Sequence, residues 1–187
     1  MRIHIFGAAG TGTTTLGKGL STVLEMKHLD SDDFYWKKAE IPYTQKVVPI
    51  ERVQSIKNAA IDTDRWILSG SMCSWGDSLI TEFTHMIYLT AKWELRRERL
   101  LERQTANFGL EALCEGGEMY QVHRDFIEWA SRYDTTGREQ RSKATHEAWI
   151  AALPDNIRLL RIDGSRPKEE VLSLTIDQLN SKTKPQR

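Results

Sequence analysis

Apolar residues in this 187-residue chain are gathered into five short runs, separated by longer stretches in which they recur every three or four positions. The short runs, over 2–6, 26–29, 65–69, 85–89 and 158–162, are expected to be strands. The periodic stretches predict helices over 14–24, 50–61, 92–104, 120–132, 140–153 and 168–179. Strands alternating with helical crossovers predict an α/β fold with a doubly wound, five-stranded parallel sheet. Ligands of such sheets bind beyond the carboxyl ends of the strands, where Gly7, Asp30, Gly70 and Thr90 fall.

Two segments break the alternation and are expected to form lid-like insertions over that crevice within a single domain, 1–187. The first, about 33–62, opens with Phe34, Tyr35, Trp36, Pro42 and Tyr43. The second, about 104–141, is polar, has Gly116-Gly117, and contains Arg124, Arg132, Arg138 and Arg141. The tail 181–187 is polar and is expected to fray.

Composition removes several classes. Lys plus Arg and Asp plus Glu number 26 each, so no overall basic field draws the chain to nucleic acid or an acidic membrane. Cys73 and Cys114 are the two cysteines and show no metal-binding spacing. Without a leader-like or membrane-length apolar segment, a cytoplasmic location is expected.

The chemistry starts at Gly7-Ala8-Ala9-Gly10-Thr11-Gly12-Thr13-Thr14, between the first strand and the first helix. This is the strand–loop–helix setting of G-x-x-x-x-G-K-[ST], with Thr13 at the lysine position. The glycines admit left-handed dihedrals and let backbone N–H groups close on phosphate oxygens. Gly7, Ala9, Gly10, Thr11, Gly12, Thr13, Thr14 and Thr15 are therefore candidates for holding a nucleotide, with Thr14 also a Mg2+ ligand. The string ending in Lys18 fits the pattern literally, but Gly19 follows and no strand precedes, so Lys18 is expected on a solvated helix face.

Asp30, Asp32 and Asp33 crowd the end of the second strand. Such a cluster needs a cation or positive groups nearby. Asp30 is a candidate for supporting Mg2+, Asp32 for accepting a proton from an attacking hydroxyl and Asp33 for substrate contact. An Asx turn capping a short helix is the alternative reading. The third strand ends in Ser69-Gly70-Ser71 without a carboxylate, and Gly70 is a position where a ligand can approach the backbone. In the first insertion Tyr35, Lys46 and Arg52 combine stacking surface with positive charge, as an acceptor site requires. Arg99 and Arg103 on the fourth-strand helix, with Arg138 and Arg141 from the second insertion, are candidates to neutralise phosphoryl charge bidentately. Arg97 belongs with the interleaved glutamates on a solvated face. His123, His146, Trp129 and Trp149 show no ligand spacing and are expected to pack. Gly164-Ser165-Arg166-Pro167 either lines a base pocket or starts the last helix.

These motifs, in this order, resemble the adenylate kinase-like branch of P-loop kinases, which includes nucleoside monophosphate, shikimate and gluconate kinases. Asp30-Ser31-Asp32 is similar to the D-[ST]-D of shikimate kinases, and Asp32-Asp33-Phe34-Tyr35 to the D-D-F-Y of uridine kinases and phosphoribulokinases. The loop also resembles that of bacterial proteins labelled adenylate kinase or DNA topology modulation protein. The resemblance implies a P-loop NTPase fold, an acceptor insertion after the second strand and an arginine-bearing lid after the fourth. It implies ATP and Mg2+ as cofactors, and transfer of a phosphoryl group to a small hydroxylated or phosphorylated acceptor. A nucleotide-binding switch with little turnover is the alternative, favoured by Thr13.

Overall fold

Five strands form one parallel sheet in the computed structural model, which describes residues 1–181. The strands are β1 (Arg2–Gly7), β2 (Lys27–Asp30), β3 (Trp66–Ser69), β4 (His85–Thr90) and β5 (Arg158–Asp163), in spatial order β2-β3-β1-β4-β5. Every pairing is parallel, so each connection crosses a face of the sheet. The helices are α1 (Thr13–Leu24), α2 (Ser31–Tyr35), α3 (Pro49–Ala59), α4 (Trp93–Phe108), α5 (Leu110–Leu113), α6 (Tyr120–Ser131), α7 (Lys143–Ala151) and α8 (Lys168–Asn180).

Both faces of the sheet are apolar and both are covered. Ile3, Ile5, Ile67, Ile87 and Leu160 pack under Leu16 and Leu20 of α1 and Val171 of α8. Phe6, Leu68, Met86 and Tyr88 pack on the other side under Ile56 of α3 and Trp149 and Ile150 of α7. Burial on both sides is why the strands read as runs rather than as alternating patterns. Because β2 and β3 lie to one side of β1 and β4 and β5 to the other, the chain reverses its winding at β1. The crevice beyond the carboxyl end of β1 is where such a sheet binds ligands.

The expected strands all form, with ends within one residue of expectation. Two helices differ from expectation by three residues or more at one end. α4 continues past 104 to Phe108, where Gly109 ends it at φ +79°. The helix expected over 140–153 starts later, because Ser142 caps it by accepting a hydrogen bond from Thr145 N–H at 3.1 Å. A short helix, α2, follows β2 directly, capped by Asp30.

The insertions are more ordered than their composition implies. In the first, Trp36 and Lys46 form an antiparallel bridge, with Lys37 N–H bonded to Gln45 O and Val47 N–H to Tyr35 O, both at 2.9 Å. The second, expected to be a polar, Gly-rich lid around one helix, is mostly helical through the end of α4, α5 and α6. The expected fraying of the tail concerns residues 182–187, which lie outside the described residues.

Candidate active site

The loop after β1 is shaped by what its glycines leave out. A Cβ on Gly7 would sit 2.4 Å from the carbonyl oxygen of Leu89, so only glycine lets β1 and β4 run this close. Gly10 has φ +85°, and its Cβ would lie 2.7 Å from the carbonyl oxygen of Arg96. Gly12, at φ +96°, stands at the N-cap of α1 with no side chain capping the first amides, which suits them to an anion. Thr11 is buried, and both its N–H and its hydroxyl donate to Ala8 O, at 3.2 and 2.9 Å. Thr13 starts α1 half-buried, whereas Thr15 is exposed and Lys18 is solvated, as expected.

Arg96, which the sequence reading does not single out, has no exposed surface. Its guanidinium donates to Ala91 O at 3.1 Å, to Ala9 O and Ala130 O at 3.4 Å, and to the Asp134 carboxylate at 2.5 Å. The rings of Trp93 and Tyr133 each lie 5.2 Å from its centre. A buried arginine thus ties the phosphate loop at Ala9 to α4 and α6. Its signal in the sequence is Trp93 three residues before it, on the same helical face.

At the other end of the loop, the Thr14 hydroxyl donates to Asp30 Oδ2 at 2.7 Å, and Ser69 Oγ donates to the same oxygen at 3.1 Å. Asp30 Oδ1 accepts from Asp32 N–H at 3.1 Å, capping α2. The capping reading of the aspartate cluster holds: Asp30 caps α2, and its other oxygen faces the loop. Thr14 donates its hydroxyl hydrogen bond to Asp30, so its lone pairs are turned away from the carboxylate. The third strand contributes Ser69 and no carboxylate, and the Ser69 hydroxyl donates a hydrogen bond to Asp30.

Asp32 and Asp33 are both exposed in the first turn of α2. Crowding by the surrounding protein and then the Asp30 charge raise the Asp32 pKa, while Arg141 and Arg103 act to lower it. Arg141 lies 4.5 Å over the Trp129 ring, and its buried Nε makes no hydrogen bond among the described residues. Burial holds its pKa below the ordinary arginine value, opposed mainly by Asp32. Across the crevice Arg52 is 5% exposed, its Nε donates to Val47 O at 2.6 Å, and its guanidinium lies 3.7 Å over Tyr35 and 5.2 Å from Trp75. Lys46 is exposed, 5.8 Å from the Tyr35 ring.

Three candidates stand differently from expectation. Arg99 is occupied in holding the loop after β5, donating to Gly164 O at 2.8 Å. Arg138 is exposed and forms no ion pair among the described residues, whereas Arg141, three positions on, packs over the Trp129 ring. Gly70, at φ +90°, is required because its Cβ would lie 2.0 Å from Ser31 Oγ, so it is α2 that approaches this backbone. Arg103 is exposed on α4, and its charge reaches Asp32.

His146 packs as expected, but in a buried polar chain the sequence does not show. Its Nε2 is 2.9 Å from Ser71 Oγ, its Nδ1 2.7 Å from the Tyr133 hydroxyl, and that hydroxyl 2.9 Å from Tyr88 OH. Burial pushes the His146 pKa down to about 3, so the ring is neutral. A cleft of about 450 Å³ runs from Ala8 past Thr90, Lys92, Trp93 and Tyr133 to Ser165. Among the described residues no helix is long and apolar enough to cross a membrane.

The chain is 40% identical over 184 residues to the Bacillus subtilis (strain 168) protein named "Uncharacterized protein YqaC", covering 96% of this chain and 97% of that one. It belongs to the YqaC family. Beyond that family it is 27% identical to a shikimate kinase of Enterococcus faecalis, over 73% of this chain and 89% of the relative. It is 26% identical to a cytidylate kinase of Methanocorpusculum labreanum, over 72% of this chain and 84% of the relative. A gluconokinase from Sinorhizobium meliloti 1021 superimposes with a TM-score of 0.51 at 15% identity, over 95% of this chain and 90% of the other. No protein-family model matches the chain. This member of the YqaC family therefore has the α/β fold of P-loop kinases, with helices flanking a five-stranded parallel sheet.

Proposed function

We propose that this protein transfers the γ-phosphoryl group of ATP to a small acceptor that carries an anionic group. One observation carries the reading: Thr14 donates to Asp30 at 2.7 Å, directly beside the glycine loop at the switch point of the sheet. A neutral oxygen and a carboxylate, with phosphate and water completing the shell, suit a hard cation such as Mg2+. When bound, Mg2+ neutralises charge on the phosphates. The shikimate and cytidylate kinase relatives support phosphoryl transfer.

The chain's own residues divide the remaining work. Backbone amides from Gly10 to Thr14 receive the phosphates at the start of α1. Asp32 accepts the proton of the acceptor hydroxyl, its raised pKa bringing it closer to the range of a working base. Arg141 and Arg52 flank the crevice with aromatic rings behind them, so their N–H edges face an anionic acceptor rather than water. Arg103, exposed on α4, neutralises charge developing on the transferred group.

Thr13 in place of lysine favours a second reading, a nucleotide-dependent switch with little turnover. A coupled assay for ADP release with MgATP, run across phosphorylated and carboxylated acceptors, separates the two. Acceptor-dependent release, reduced roughly 10²-fold or more in Asp32→Asn at unchanged ATP affinity, is expected of the kinase. Tight ATP binding without acceptor-dependent release supports the switch. Unchanged turnover in Asp32→Asn removes Asp32 from the chemistry.

A further inference from the structure

We infer that His28, which no motif marks, is a positioning residue for the cation end of the phosphate site. The inference rests on the proposed reading of Thr14 and Asp30 as the cation's seat. His28 Nε2 lies 2.9 Å from Ser69 Oγ, and Ser69 Oγ lies 3.1 Å from Asp30 Oδ2, the oxygen that also accepts from Thr14 at 2.7 Å.

Proton counting fixes the direction of this series. A serine hydroxyl has one proton, and Asp30 as a carboxylate can only accept. Ser69 therefore donates to Asp30, and its oxygen must accept a hydrogen bond from His28 Nε2–H. The imidazole thereby selects one rotor position of Ser69, the one aimed at Asp30. Without it the hydroxyl is free to turn, and Asp30 Oδ2 loses a donor that orients it toward the loop.

Two features outside the series show that the imidazole has a built place. Gly17 of α1 faces it: an added Cβ would lie 2.6 Å from His28 Nε2 and 2.9 Å from Cδ2. The parallel register sets Asp30 opposite Ser69 and His28 opposite Ile67, which puts His28 and Asp30 on the same face of β2. Strand, neighbouring strand and helix thus converge on one ring. Groups that orient a metal-binding carboxylate from behind commonly alter cation affinity by 10–100-fold, so an effect of about tenfold is expected.

The test is calorimetric titration of ADP, with and without Mn2+, into wild type, His28→Leu, His28→Gln and Gly17→Ala. His28→Leu is expected to lose roughly tenfold of the Mn2+-dependent gain in ADP affinity, with metal-free ADP binding changed less than about twofold. His28→Gln, whose amide N–H replaces the ring donor, is expected to recover most of the gain, and Gly17→Ala to lose it as His28→Leu does. If His28→Leu fails to fold, Ser69→Ala breaks the same series one link further on and is measured instead. An unaltered Mn2+-dependent gain in His28→Leu or in Ser69→Ala overturns the inference, as does failure of His28→Gln to recover it. If wild type itself shows no Mn2+-dependent gain, it is the seat at Thr14 and Asp30 that is wrong, and the role of His28 falls with it.

Discussion

Arg96 Nη2 lies 2.5 Å from Asp134 Oδ2, joining a guanidinium with no exposed surface to a carboxylate whose side chain keeps 43% of its own. The pair matters to the site because the same guanidinium reaches Ala9 O in the phosphate loop. Breaking a fully buried ion pair from one side costs about 3–5 kcal/mol, and water access at Asp134 reduces this to about 2 kcal/mol. Asp134→Asn is expected to lose that much in urea unfolding and to bind ADP more weakly. Unchanged stability together with unchanged ADP affinity would show that Arg96 does not depend on this partner.

Arg52 and Arg141 hold the acceptor under the proposed function, so conservative loss of either should appear in the acceptor KM. Arg52→Lys and Arg141→Lys keep the charge but lose the planar fork and its stacking on Tyr35 or Trp129. Each is expected to raise the acceptor KM about 10–100-fold, the worth of one charged hydrogen bond, with the ATP KM unchanged. A rise confined to ATP would place these arginines on the donor side of the reaction.

Acid should weaken the fold through two histidines. Burial holds His146 down to about 3 and His4 to about 4, against an unfolded value of 6.5. Both are neutral in the fold but become protonated in the unfolded chain below pH 6.5, so the unfolded state binds more protons. Stability is therefore expected to be full above about pH 7 and to fall as pH drops from about 6.5 to about 4, by about 3–4 kcal/mol between pH 7 and 5. Asp32, with its raised pKa, acts in the opposite sense, but only where carboxylates titrate. Urea unfolding at several pH values measures the slope, and His146→Gln should roughly halve it.

Thr13→Lys restores an ammonium beside the phosphates. With Gly12 at φ +96° and the first amides of α1 free of a side-chain cap, the backbone geometry does not depend on Thr13. Nucleotide affinity is expected to hold or to rise by up to about tenfold, the range of one charge-assisted contact. A large loss, measured by the same ADP titration, would show that Thr13 itself contacts the nucleotide.

The five strands and the glycine loop were legible because each depends on neighbours in sequence: apolar runs, and three glycines at fixed spacing before a threonine-rich helix start. α2 was half legible, since Asp30 reads equally as a cap or as a ligand and the structure uses it as a cap that also faces the loop. Arg96 was not singled out because a run of alternating Arg and Glu looks solvated on any helix. What buries it is Tyr133 and Ala130, more than thirty positions away. Arg138 and Arg141 looked equivalent, and only the fold turns one outward and the other toward Asp32. The chain from Ser71 through His146 to Tyr88 joins side chains brought together across the sheet, which no spacing along the sequence encodes.

Asp30 belongs to β2, a four-residue strand at the rim of the sheet that is paired on one side alone. Under the proposed function, cation recognition would be entrusted to the part of the sheet most easily peeled away. A brief detachment of β2 would dismantle the carboxylate's surroundings while leaving the glycine loop intact on the central strand. Under the proposed function the protein would then grip phosphate and metal with separate durability, and occupancy by both should fasten that margin down.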